Sequence, residues 1–234
     1  MSTHRLNLPG FGGLLFLLVS VALSRAGADT KDINPGVYPL TEKVGGKTYA
    51  EWTAAWWQWG MGAPKDKNPI LDKTGEFAGK GQTGPVWFLA GNFGGEVTRK
   101  CSVPAGKAIF FPVLNQGPGG SFDKPEEDAW RKLAKATMDT AYDLEVLVDG
   151  RALKDVKSYR VAAPLFTFIG PEKEEDVAFP GMAGKHKMVS DGYWIMLKPL
   201  AKGEHVIRFK GKVKANKFSL DVTYKLTVVE EKEP

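Results

Sequence analysis

Two stretches near the end of the chain, Val206–Val213 and Phe218–Val229, alternate apolar and polar side chains around the four residues Lys214–Lys217. Alternation with period two puts every apolar side chain on one face of an extended strand, so this segment must be a hairpin lying on a core. A four-residue loop fixes the register: Val213 faces Phe218, Phe209 faces Val222, and Ile207 faces Tyr224. The same register puts His205 opposite Leu226 and sets Lys210 opposite Asp221 on the wet face, a favourable cross-strand pair. Hydrophobic and charge patterns agree on one alignment.

Other short runs read the same way. Val86–Ala90, Glu96–Val103, Ala108–Leu114 and Leu144–Val148 are separated by Gly and Pro clusters, as strands are. Asp149-Gly150 is a two-residue hairpin turn. Tyr193–Leu197 is apolar on both faces, as expected of a central strand. Two helices interrupt the pattern. One lies near 49–60, opened by the capping box Thr48-Tyr49-Ala50-Glu51 and stopped by Gly60, Gly62 and Pro64. The other lies near 125–142, with Glu126, Glu127 and Asp128 in its first turn and an apolar stripe of Trp130, Leu133, Ala134, Thr137 and Ala141. Residues 65–85 and the acidic stretch 170–191 read as loops. The expected fold is mainly β: one antiparallel β-sandwich of about eight strands over 29–234, flanked by the two amphipathic helices.

Residues 1–28 read as a secretory signal peptide. Leu14–Leu23 form an apolar core of ten residues, and Ala26-Gly27-Ala28 gives a small-residue cleavage site. Ten residues are too few to span ~30 Å of hydrocarbon, so the mature chain is not expected to be an integral membrane protein. Export places it in the periplasm or outside the cell. The leader carries Arg5 and Arg25 and no acid, which leaves 30 of the 32 Lys and Arg against 27 Asp and Glu, a mature net charge of +3. That is too small for a nucleic-acid footprint.

Several stretches together resemble a family of secreted bacterial proteins. They are YAEWTAAWWQWG at 49–60, GPVWFLAG at 84–91, CSVPAGKAIFFPVLN at 101–115, and DGYWIMLKPLAKGEHVIRFKG with FSLDVTYKLTVV at 191–229. The resemblance covers most of the mature chain and implies export and a shared fold. No activity is attached to the family, so it implies no catalytic residue and no ligand.

Chemistry is sparse in what remains. Gly79–Gly84 matches G-x-G-x-x-G, but a loop precedes it and Pro85 follows, where a dinucleotide site needs a strand and then a helix. The single cysteine, Cys101, excludes an internal disulfide and reads as a small buried hydrophobe. The alternative is a thiol dyad with His186. Two histidines 19 residues apart and an unpatterned acidic run at 172–176 make no metal site, and no cofactor is expected.

The excess of tryptophan, seven in all, is the remaining signal. At ~100° per residue, Tyr49, Trp52, Trp56 and Trp59 share one helix face, while Trp57 falls about 100° from its middle. Trp57 is therefore the candidate ligand-binding residue, with Gln58 and Glu51 as polar neighbours. The sequence points to a secreted, non-catalytic binding protein for a carbohydrate or a cell-surface partner. An exported thiol or acid–base hydrolase, or a structural protein assembling as a homo-oligomer, is the alternative.

Overall fold

In the computed structural model the tryptophan-rich helix α1 (Tyr49–Gly62) lies across one face of a four-stranded sheet. The structure describes Met1, Asn34 and residues 36–230. The signal peptide expected at 1–28 lies outside these residues, Met1 apart. The chain divides into two compact units, Met1–Asp32 and Ile33–Pro234, and every described helix and strand belongs to the second.

After α1 come strands β1 (Val86–Phe88), β2 (Gly95–Pro104), β3 (Ala108–Gln116) and β4 (Gly119–Ser121). Helix α2 (Glu127–Met138) precedes β5 (Ala141–Val148), β6 (Arg151–Ala152), β7 (Arg160–Ala162) and β8 (Phe166–Ile169). Then come β9 (Lys185–Met188), β10 (Asp191–Leu197), β11 (Gly203–Val213) and β12 (Phe218–Val229). Three sheets result, in the orders β1-β3-β10-β7, β2-β12-β11-β5-β6 and β4-β9-β8.

The first two sheets face each other across a shared core. Ile109, Phe111, Ile195 and Leu197 of the four-stranded sheet meet Ile207, Phe209, Val222 and Tyr224 of the five-stranded one. Phe111 and Phe209 stack with ring centroids 4.8 Å apart. The other face of the four-stranded sheet presents Ala108, Phe110, Trp194 and Met196 to Tyr49, Trp52 and Trp56 of α1. Strands β3 and β10 are thus covered on both sides, which is why their sequences read as unbroken apolar runs.

The β11–β12 hairpin has the register its alternation predicts, from His205↔Leu226 to Val213↔Phe218. Its charge pairing differs in detail. Asp221 accepts from Arg208, one pair off the diagonal, while Lys210 reaches Glu145 on β5 at 3.4 Å.

Several expectations are corrected. There are twelve strands among the described residues, not about eight, and the sheets are not wholly antiparallel. Strand β1 runs parallel to β3, and β2 parallel to β12. Alternation tells which face of a strand is buried but not which way its neighbour runs. Here the chain leaves the four-stranded sheet after β1, runs β2 along the other sheet, and returns as β3. The added strands are short, glycine-rich or cationic: β4 is Gly-Gly-Ser and β9 is Lys-His-Lys-Met. The stretch 170–191, expected to be a loop, therefore contains β9 and the start of β10. Helix α2 ends at Met138 rather than near 142, because β5 begins at Ala141. Leu133, expected on the apolar stripe of α2, is exposed.

Candidate functional site

Helix α1 starts where the sequence places it. Thr48 Oγ1 accepts from the Glu51 N–H, and Glu51 Oε2 accepts from the Thr48 N–H at 2.7 Å. That backbone donor, with the Thr48 hydroxyl, holds the exposed Glu51 carboxyl below its ordinary range. Glu51 is thereby committed to the capping box.

The four indoles of the helix each donate to a different part of the fold. Trp52 Nε1 reaches the Val44 carbonyl at 2.9 Å, and Trp56 Nε1 the Leu89 carbonyl at 2.9 Å. Trp59 Nε1 reaches the Lys80 carbonyl at 2.7 Å, and Trp57 Nε1 the Ser190 hydroxyl at 2.9 Å. A buried indole usually finds a partner for its N–H, and here those partners fasten the helix to the segment around Val44, the end of β1, the 65–85 loop and the entry to β10. Gln58 is exposed and donates to the Thr167 carbonyl of β8 at 2.8 Å.

Of the three residues singled out by sequence, only Trp57 lines the apolar cleft between α1, the exit of β3 and the start of β12. Glu51 and Gln58 are not among its walls. The cleft holds ≈ 340 Å³, near the lower end of the ≈ 300–1,000 Å³ typical of small-molecule sites. Trp56, Trp57 and Met61 of α1 form one wall. Pro112, Asn115, Gln116 and Gly117 of β3 and its exit form the back. Phe179, Met182 and Met188 enclose it from the three-stranded sheet and its loop, and Phe218 and Leu220 from β12. Phe93, 58% exposed on the Gly-rich turn before β2, meets Phe179 edge-on with centroids 5.0 Å apart. These two rings join the turn and the loop across the cleft.

None of the described lining residues is charged, and none is Ser, Thr, Cys or His. Four are methionines (Met61, Met138, Met182 and Met188), flexible and polarizable side chains that repack around irregular shapes. The few polar groups are amides. Asn92 Nδ2 donates to the Gly95 carbonyl at 3.1 Å, and Asn216 Oδ1 accepts from the Phe218 N–H at 3.2 Å. Asn115 Nδ2 is buried and has no hydrogen-bond partner among the described residues.

Sequence reasoning did not single out Asn115, Phe93, Phe179 or Met182. The signal available for Asn115 was its place at the end of an apolar strand, just before Gly117-Pro118. The loop residues had none, because what brings them together is the three-stranded sheet.

The alternative thiol site does not assemble. Cys101 sits on edge strand β2, and burial pushes its pKa up to about 12. His186 is on β9, its ring nitrogens 3.1 Å from the Gly120 carbonyl and 2.8 Å from the Ala183 carbonyl. The histidine nearer the cysteine in the sheet is His205, but Leu226 stands between them, Cys101 pairing with it on one side and His205 on the other. Two strand spacings separate their backbones by roughly 10 Å, and both residues border one pocket with Leu226 between them. No group of three or more His, Cys, Asp or Glu is placed to hold a metal ion among the described residues, and no described helix is long and apolar enough to cross a membrane. No protein-family model, no curated protein and no solved structure matches this chain.

Proposed function

We propose that this protein is an exported, non-catalytic binding protein whose cleft takes a small apolar molecule. The lining carries the reading: four thioethers and the rings of Trp56, Trp57, Phe93, Phe179 and Phe218 surround the space, with no ionisable or nucleophilic side chain among the described walls. General acid–base and covalent catalysis both need such a group within reach of the reacting atom. A largely apolar wall with a few fixed polar groups is instead what a ligand pocket requires. The two larger sheets, packed face to face, are read as a β-sandwich that serves as the rigid support for this cleft.

The geometry favours an apolar ligand over the carbohydrate suggested by the tryptophan content. A sugar needs polar groups around the stacking ring, and Gln58 and Glu51 are engaged at β8 and the helix cap. Export rests on the leader and on the resemblance to secreted proteins, and places the encounter with ligand in the periplasm or outside the cell.

The test is titration of the mature protein with N-phenyl-1-naphthylamine, a neutral apolar fluorophore. Saturable enhancement near one equivalent is expected. Gly91→Leu directs a side chain between Leu220 and Pro112 inside the cleft, since a Cβ at Gly91 lies 3.9 Å from each. It should weaken binding at least tenfold while the near-ultraviolet circular dichroism stays that of the wild type. Unsaturable binding, or binding indifferent to Gly91→Leu, overturns the assignment.

A further inference from the structure

The orphaned amide of Asn115 owes its position to a defect in β3. Regular alternation sends Ile109, Phe111 and Val113 into the core shared with the five-stranded sheet, and Ala108, Phe110 and Pro112 toward α1. Continued unbroken, it would turn Leu114 toward α1 and bury Asn115 in that shared core. The register breaks instead: Tyr193 pairs with Leu114 but the next residue, Trp194, pairs with Pro112, so Val113 is an extra residue on β3. Val113 and Leu114 both enter the core. Leu114 occupies the space left by a missing side chain at Gly211, where an added Cβ would lie 2.7 Å from its Cδ1. Asn115 is thereby brought round to the face of Pro112 and into the cleft. Bulges commonly re-aim a side chain at a functional site, and this one delivers the cleft's one uncommitted buried amide donor among the described residues.

A buried donor left without a partner is costly, and native folds hold few of them. The described residues hold two others, the indole N–H groups of Trp87 and Trp194, but neither residue lines the cleft. Asn92 Nδ2 is committed to its own loop, Asn216 is exposed and Gln116 half-buried, so that water reaches both, and no charge competes in the described walls. We infer that Asn115 is the polar anchor of the cleft and that the ligand is a neutral, mainly apolar molecule bearing a carbonyl-type acceptor, received by Asn115 Nδ2. The inference rests on the cleft being an apolar binding site and adds the chemical class of what fills it.

The experiment compares benzophenone with 1,1-diphenylethylene, which has the same shape but a methylene in place of the carbonyl oxygen. Each displaces N-phenyl-1-naphthylamine from the wild type and from Asn115→Leu. The ketone-to-alkene affinity ratio should fall about 3- to 10-fold in the variant, as expected for loss of one hydrogen bond. Reading the ratio between the two proteins cancels the different hydrophobicity of the two ligands. If Asn115→Leu does not fold, the side-chain amide resonance of Asn115 in the wild type replaces it; the ketone should shift that resonance and the alkene should not. An unchanged ratio, or an amide resonance moved equally by both ligands, overturns the role of Asn115 and leaves apolar binding standing. Failure of the fluorophore and both ligands to bind removes the cleft assignment itself.

Discussion

Arg99 donates from Nη1 to the Tyr224 hydroxyl at 2.8 Å, and its guanidinium lies 5.5 Å from the centroid of that ring. Arg99 is 1% exposed, yet its other described partners are backbone carbonyls: Asp72, Ala90, Gly91 and Ile70, at 2.7, 2.7, 2.9 and 3.1 Å. One planar cation thus ties the 65–85 loop and the end of β1 to the five-stranded sheet. Two of those carbonyls, on Ile70 and Gly91, belong to residues that line the cleft.

Replacing Arg99 should therefore cost more than its single position suggests. Arg99→Met leaves the Asp72, Gly91 and Ile70 carbonyls buried without their donor, the Ala90 carbonyl keeping the Tyr224 hydroxyl at 3.0 Å, and urea unfolding should show a loss of about 3–5 kcal/mol. Arg99→Lys should recover little, because one ammonium cannot span four acceptors that a fork reaches in several directions. Full recovery by lysine would show that charge alone, not the fork, holds the loops.

Much of this fold is legible in the sequence wherever one face is wet. The β11–β12 register, the Asp149-Gly150 turn between β5 and β6, and the Thr48–Glu51 cap all follow from local pattern. The loop 65–85 has no periodicity to read, because side chains order it. Asn68 Nδ2 caps the Gly60 and Ala63 carbonyls at the end of α1, and the Asp72 carboxylate receives the Thr74 and Phe77 N–H groups. The cleft was legible only through Trp57. The walls from β3's exit and the three-stranded sheet depend on the Val113 bulge and on the short strands Gly-Gly-Ser and Lys-His-Lys-Met, which leave no apolar pattern.

His205 should make stability depend on pH. Its Nδ1 lies 2.7 Å from an Asp149 carboxylate oxygen and its Nε2 2.8 Å from the Ala201 carbonyl. Burial opposes its charge, but those oxygens prevail and raise its pKa above 6.5. For Asp149, burial is likewise outweighed by His205 and the Val206 N–H, and its pKa is lowered below 3.8. The histidine's contribution is complete below 6.5 and fades as pH rises through the raised value. That of Asp149 is lost only in acid, as pH falls through the lowered value. Thermal melts should show His205→Gln less stable than wild type by roughly 1 kcal/mol near pH 5.5, with the gap closing in mild alkali. A gap that widens with pH contradicts the pairing.

Cys101 should be inert in the native protein. A thiol pushed up to about 12 by burial carries almost no thiolate at neutral pH, and thiolate is the reactive form. Ellman's reagent should label it slowly at about pH 7 and rapidly once urea unfolds the chain. Fast labelling of the folded protein would reopen the thiol-hydrolase alternative.

Gly117 sets how closely β3's exit can approach α1. A Cβ there would lie 2.6 Å from Trp57 Cζ2 and 2.5 Å from Met188 Cε. The methionine can swing aside, but the indole is held by its 2.9 Å bond to Ser190 and by edge contact with Trp56 at 5.2 Å. Gly117→Ala must therefore either break the Trp57–Ser190 bond or push the ring into the cleft. Overpacking of this kind costs about 1–3 kcal/mol, and the displaced ring should shift the tryptophan fluorescence maximum. Ser190→Ala in the same background separates the two routes. It should add little further destabilisation if the bond is already broken, and a full hydrogen bond's worth, about 1 kcal/mol, if the ring kept its partner. Because Trp57 is the one sequence-nominated residue that reaches the cleft, Gly117→Ala should also weaken binding of N-phenyl-1-naphthylamine several-fold; unchanged affinity would place the ligand away from the indole.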